Sequence, residues 1–210
     1  MNSNWLLVTP PVGDCTMPLL GPLVLSQALK DNGLRSRCYD ASLDMFWMAL
    51  DEDVVRDALT YSRASEERQR SAFAVLGRTR RKKHGDRIKR LELAAEILSQ
   101  ISPGVKFSLD EITFEFSTEN FRGLKRAVER IAWLSVFYGR MKVIRGISDA
   151  RVTHVGISVS YSSQLAPALV LIRYLRRLYP RLNLCLGGAY FGNGSLDERQ
   201  LLRRFPDADA

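Results

Sequence analysis

The chemistry this sequence could carry sits in four small residues at the ends of two apolar runs. Ser158 and Ser160 alternate at the close of Val-Gly-Ile-Ser-Val-Ser, 155–160, and Gly187 and Gly188 close Leu-Asn-Leu-Cys-Leu, 182–186. Side chains two residues apart in a strand point the same way, so the paired hydroxyls could meet a phosphate, a ribose or an amide. The alternative is that they satisfy buried backbone groups. Adjacent glycines let a ligand approach the main chain closely, or else turn sharply against a following helix.

Other reactive residues have no partner at useful spacing. His84 lies in a basic run and His154 enters a strand, neither with a second ligand at metal spacing. Cys15 lies in the first loop, where it could meet a ligand or be a bystander thiol. Asp40 and Asp44 follow the second strand, as a polar contact or as caps of the next helix. The phosphate-cradling patterns G-x-G-x-x-G and G-x-x-x-x-G-K-[ST] are missing, as are a G-x-S-x-G elbow and a cluster-binding cysteine motif. Nucleotide hydrolysis and ordinary dinucleotide binding therefore have no support.

Those residues must be held by strands and helices. Val152 to Ser160 is β-branched and apolar, as a strand buried on both faces is. Ser162 or Ser163 can cap a helix with Pro167 near its first turn. Leu165, Leu169, Ile172, Leu175 and Leu178 form its apolar face, opposite Arg173, Arg176 and Arg177. Pro180 ends it, and Leu182 to Leu186 makes a second strand. Strand, helix and strand with short joints predict a right-handed parallel crossover, in which ligands sit beyond the carboxyl ends of the strands.

The beginning repeats that unit. Trp5 to Thr9 predicts a strand running into Pro10-Pro11, and Leu20, Leu23, Val24, Ala28 and Leu29 predict a helix face. Gly33 ends that helix, and Leu34 to Tyr39 predicts a second parallel strand. Between the two units the sequence predicts helices over 45–57, 65–77, 86–101 (Ile88, Leu91, Ala95 and Leu98 inward) and 121–144, with a short extended piece at 112–116. A further helix is predicted over 196–204. The fold class expected is α/β, a Rossmann-like open parallel sheet of about four strands, incomplete, with a mainly helical insertion over 45–147.

With 210 residues, 46% hydrophobic, the chain suits one such domain. No run approaches the roughly 20 apolar residues of a membrane span, and Met-Asn-Ser-Asn before Trp5 lacks the basic start of a secretory signal, so none is expected. Cysteines at 15, 38 and 185 form no framework, so reduced thiols and a cytoplasmic location are expected. The net charge of +8 owes much to Arg78–Arg90. That run could meet nucleic acid or an acidic partner, but no aromatic residue is interleaved for base stacking, and a solvated loop is preferred.

Two stretches resemble a known family. Leu-Leu-Val-Thr-Pro-Pro, Pro-Leu-Leu-Gly-Pro-Leu-Val-Leu-Ser-Gln-Ala-Leu-Lys-Asp-Asn-Gly-Leu and Cys-Tyr-Asp-Ala-Ser-Leu-Asp look like the start of the cobalamin-binding domain of cobalamin-dependent radical S-adenosylmethionine enzymes. Val-Gly-Ile-Ser-Val-Ser-Tyr-Ser-Ser-Gln-Leu with Leu-Gly-Gly-Ala-Tyr is similar to that domain's later crossover. The resemblance covers about 4–44 and 152–209. It implies a corrin over the carboxyl ends of the strands, bordered by Pro11, Val12 and Gly13, with the nucleotide tail beside Ser158 and Ser160 and passing Gly187 and Gly188. The D-x-H-x-x-G loop that gives cobalt a histidine is absent, as is usual in the radical family. The family's fifth strand and its barrel, with the C-x-x-x-C-x-x-C cluster and S-adenosylmethionine site, are also absent. The implied role is that of a cobalamin-binding domain or fragment of a methyltransferase-type enzyme, possessing no catalysis of its own. The iron–sulfur cluster and S-adenosylmethionine would belong to a separately encoded radical partner. The alternatives are a basic interaction module, or a remnant that no longer holds cofactor.

Overall fold

The computed structural model describes residues 4–11, 20–80 (Arg80 by its backbone only), 86–192, 201 and 205. Val12, Gly13, Cys15, His84 and most of the stretch 196–204 lie outside the described residues.

Strand β1 (Asn4–Thr9) leads to helix α1 (Leu20–Asp31) and strand β2 (Arg35–Asp40). The intervening helices are α2 (Ala41–Met48), α3 (Glu52–Ser62), α4 (Glu66–Arg80) and α5 (Arg87–Ile101). A hairpin of β3 (Val105–Phe107) and β4 (Ile112–Phe114) follows, then α6 (Phe121–Arg130), α7 (Leu134–Arg140) and α8 (Lys142–Arg145). Strand β5 (His154–Ser158), a 3-10 turn, α9 (Leu165–Leu178), β6 (Asn183–Gly187) and the single turn α10 (Ala189–Gly192) complete the order.

The main sheet runs β2-β1-β5-β6 with every pairing parallel. It is the expected Rossmann-like open sheet. From the β1/β5 centre the two crossovers step in opposite directions, and right-handed connections then place α1 and α9 on opposite faces. The contacts agree. On the α1 face Ser26 meets Ser36 (Oγ to Oγ, 2.8 Å) and the Cys38 thiol reaches the Pro22 carbonyl at 3.3 Å. On the other face Leu6, Val8, Val155, Ile157 and Leu184 share one core with α9 and the inserted helices.

α9 is apolar nearly all round: every residue from Leu165 to Ile172 is buried. It shares the core with the sheet and packs against α6 and α7, so its first part-exposed residues are Arg173 and Tyr174. Leu178, expected inward, is exposed. α1 behaves differently. Its expected apolar face is the exposed one: Leu20 is 68% exposed, Leu23 51% and Val24 70%, while Pro22 and Ser26 turn inward. The sheet beneath offers Ser36 and Cys38, which pair with small and polar groups and not with leucines.

The insertion is more broken than its periodicity predicts. The helix expected over 45–57 is two helices, because the Asp51 carboxylate accepts from Asp53 N (2.9 Å) and Val54 N (3.4 Å), capping a new one. The helix expected over 121–144 is three. At its first break the Ser102 hydroxyl donates to the Arg130 carbonyl at 2.6 Å and accepts from the buried Trp133 indole at 2.6 Å. These bonds take up a helix-end carbonyl and lock the turn. Ile88 projects to solvent, with the stripe starting at Leu91. The extended piece expected over 112–116 pairs as β4, antiparallel to β3.

Candidate functional site at the carboxyl edge of the sheet

Two of the sequence-predicted residues, Ser158 and Gly187, meet at the carboxyl edge of the sheet. Ser158 and Gly187 are direct partners in the β5/β6 register. Thr9 and Asp40 are the corresponding partners in the β1/β2 register. Leu7 pairs with Gly156, so two residues further along both strands Thr9 and Ser158 share a face. That is the α1 face: a Cβ on Gly21, in the first turn of α1, would lie 3.7 Å from Ser158 Oγ.

Ser158 is half-buried, and its hydroxyl has no hydrogen-bond partner among the described residues. Among the described residues, a Cβ on Gly187 would meet nothing within 4 Å. Thr9 is 4% exposed, yet its Oγ1 is buried without a partner. A buried hydroxyl left unpaired costs about 1–3 kcal/mol, which a ligand or ordered water would recover. Thr9 was not singled out from the sequence; only its register with Ser158 reveals it.

Ser160 and Gly188 do other work. Strand β5 ends at Ser158, so Ser160 stands beyond it, and the expected alternation of the two serines within one strand does not hold. The Ser160 N–H donates to Gln164 Oε1 at 2.8 Å, the Tyr161 N–H donates to the same oxygen at 3.3 Å, and Gln164 Nε2 donates to the Pro10 carbonyl at 3.3 Å. Gln164, 1% exposed, thus ties the ends of β1 and β5 together and replaces the serine cap expected at 162 or 163. Gly188 has φ +121°, and a Cβ there would sit 2.3 Å from the Val159 carbonyl oxygen. It is the sharp-turn alternative: the Val159 N–H donates to the Gly187 carbonyl at 2.7 Å, and the Tyr190 N–H donates to the Val159 carbonyl at 3.1 Å. Pro11 is buried where β1 leaves the sheet.

No family model, curated protein or solved structure matches this chain.

The remaining candidates lie elsewhere. His154 is at the amino end of the sheet, stacked on Trp5 with centroids 4.5 Å apart, its Nδ1 2.9 Å from Thr153 Oγ1. Asp40 caps α2 through Ser42 N at 2.8 Å. Asp44 accepts from the Tyr39 hydroxyl at 2.6 Å, and burial, then this hydrogen bond, pushes the Tyr39 phenol well above its ordinary value. Of the basic run, Arg78 pairs with Glu96, and Arg90 lies over the Trp47 ring at 5.3 Å. Among the described residues no group of three His, Cys, Asp or Glu could hold a metal, and no helix is long and apolar enough to cross a membrane.

Proposed function

We propose that the chain is a cobalamin-binding domain of the kind found in cobalamin-dependent radical S-adenosylmethionine enzymes, with catalysis left to a separate radical unit. The observation that carries this reading is the rim itself: on one face beside α1, a Ser158 hydroxyl without a partner and a Gly187 with nothing over it among the described residues, and an orphaned Thr9 hydroxyl. These residues fit the polar, narrow tail of a cobalamin. The Thr9 and Ser158 hydroxyls would bond the tail's phosphate, ribose or amide groups, and Gly187 would leave it room. Gly188 and Gln164 act indirectly, by holding the loops in which Ser160 and Tyr161 stand. Pro11 would border the corrin; Val12 and Gly13, assigned the same role, lie outside the described residues.

Bound cobalamin would supply a methyl-carrying cobalt; the chain's own residues would bind it, orient it and exclude water. His154, at the far end of the sheet, is not offered to cobalt. The substrate, the iron–sulfur cluster and S-adenosylmethionine would belong to the radical unit. Titration of the folded chain with hydroxocobalamin tests the proposal: a saturable change in the visible spectrum is expected, and a folded sample that produces none refutes it.

A further inference from the structure

The second strand of the small hairpin has an open edge. Ser108 N donates to the Glu111 carbonyl and Glu115 N to the Gly104 carbonyl, each at 3.0 Å. Alternation along an antiparallel pair makes Lys106 and Thr113 the hydrogen-bonded rung between them. The N–H and C=O groups of Ile112 and Phe114 therefore point away from β3, and no described residue bonds them. The outer edge of β3 differs, since the Phe107 N–H donates to Ser99 Oγ of α5 at 2.9 Å.

A groove of about 900 Å³ lies against the open edge of β4. Its far wall is Tyr161, Ser162 and Ser163 after β5 and Tyr190 after β6, so it adjoins the rim described above. Asp110, Glu111, Glu115 and Glu119 line it, and among the described residues no Lys, Arg or His does, on a chain whose net charge is +8. Glu115 is shared with Arg126 at 3.6 Å and Asp110 accepts from Ser108 Oγ at 2.7 Å. Glu111 and Glu119 have no ion-pair partner among the described residues. Along β4, Glu111, Thr113 and Glu115 are exposed, whereas Ile112 is buried and Phe114 half-buried.

We infer that this groove binds an extended basic peptide, which joins β4 as an added strand. Main-chain hydrogen bonds to Ile112 and Phe114 provide affinity that is blind to sequence, and the alternating side chains provide selectivity. Residues facing Glu111 and Glu115 are Lys or Arg; residues facing Ile112 and Phe114 are apolar. The inference stands apart from the cofactor reading, and it is tested on chain without cobalamin.

The probe is a fluorescein-labelled octapeptide alternating lysine and valine, followed by anisotropy at low salt. Saturable binding is expected, together with loss of binding when glutamate replaces lysine in the probe. Methylating the probe's backbone nitrogens at alternate positions should abolish binding in one phase and spare it in the other. Glu111→Gln and Glu119→Gln should each weaken binding by about 2- to 5-fold, the scale of an exposed charge pair. Absence of saturable binding overturns the inference. So does binding that neither methylation phase disturbs, which is adhesion by charge alone, or equal competition by lysine amide, which is a small-amine pocket.

Discussion

α9 and α1 are counterparts on opposite faces of one sheet, and they are attached in opposite ways. α9 is held by packing: it is buried from Leu165 to Ile172 between the sheet and α6 and α7, and the Tyr138 hydroxyl of α7 donates to its Pro167 carbonyl at 2.9 Å. α1 is held by a Ser26–Ser36 contact and a Cys38–Pro22 contact, with its leucines outward. The difference shows where this fold keeps its stability and where it keeps its open ground. The packed face supports the sheet, and the sparsely covered face leaves Ser158 and Gly187 half-exposed beside the buried Thr9 hydroxyl.

The contrast can be broken most directly with leucine truncations. Leu169→Ala or Leu171→Ala in α9 should cost about 2–5 kcal/mol in chemical denaturation, as buried truncations that leave cavities do. Leu23→Ala in α1 should stay within about 0.5 kcal/mol. Equal losses at the two sites would erase the distinction.

Next in size is the Gln164 tie. Gln164→Leu leaves the Ser160 and Tyr161 N–H groups and the Pro10 carbonyl without their partner, so it should cost about 1–3 kcal/mol. Hydrogen exchange should speed at Ser160 and Tyr161 and hold steady in α1. Uniform exchange across both faces would show that Gln164 does not join these ends.

Alkaline pH tests the same packed face. Burial raises the Tyr138 phenol far above its ordinary value, and burial followed by Asp44 raises Tyr39. A phenol whose folded value exceeds its unfolded value binds its proton more tightly when folded. Its stabilising contribution is complete below about pH 10 and is lost as pH rises beyond that toward the folded value, by up to about 1.4 kcal/mol per pH unit for the fully buried Tyr138 and by less for the partly exposed Tyr39. Absorbance at 295 nm should show these two ionising only with unfolding, and Tyr138→Phe should make the slope shallower. Free titration of all seven tyrosines near pH 10 would contradict the burial.

A smaller loss is expected at the polar contact of α1. Ser26→Ala removes one partner of Ser36, whose hydroxyl also donates to the Ser26 carbonyl at 3.0 Å. A loss of about 0.5–1 kcal/mol is expected, because that second bond survives.

Much of the sheet was readable from sequence, because β1, β5 and α9 are apolar runs punctuated by prolines and glycines. The faces and breaks were not. Leu20, Leu23 and Val24 have helical spacing, but what a helix buries is decided by the sheet opposite, and Ser36 and Cys38 appear in no periodicity. Asp51 and Ser102 broke two predicted helices through caps and long-range bonds that compete with an otherwise continuous pattern. At the rim, the pairing of Ser158 with Gly187 follows from two strands ending together. Thr9 required the register across β1 and β5, and Gln164 required knowing that its amide reaches Pro10, 154 residues away.

The central claim is that a ligand with a cobalamin's tail occupies the space above Gly187. The decisive measurement is hydroxocobalamin titration of Gly187→Phe beside the unmodified chain, with denaturation of both. A Cβ at this position meets nothing within 4 Å among the described residues, so the ring should fill that space while stability changes by less than about 1 kcal/mol. The account predicts saturable binding by the unmodified chain and at least a tenfold weaker affinity in the variant. Equal affinity in two equally stable proteins would contradict it.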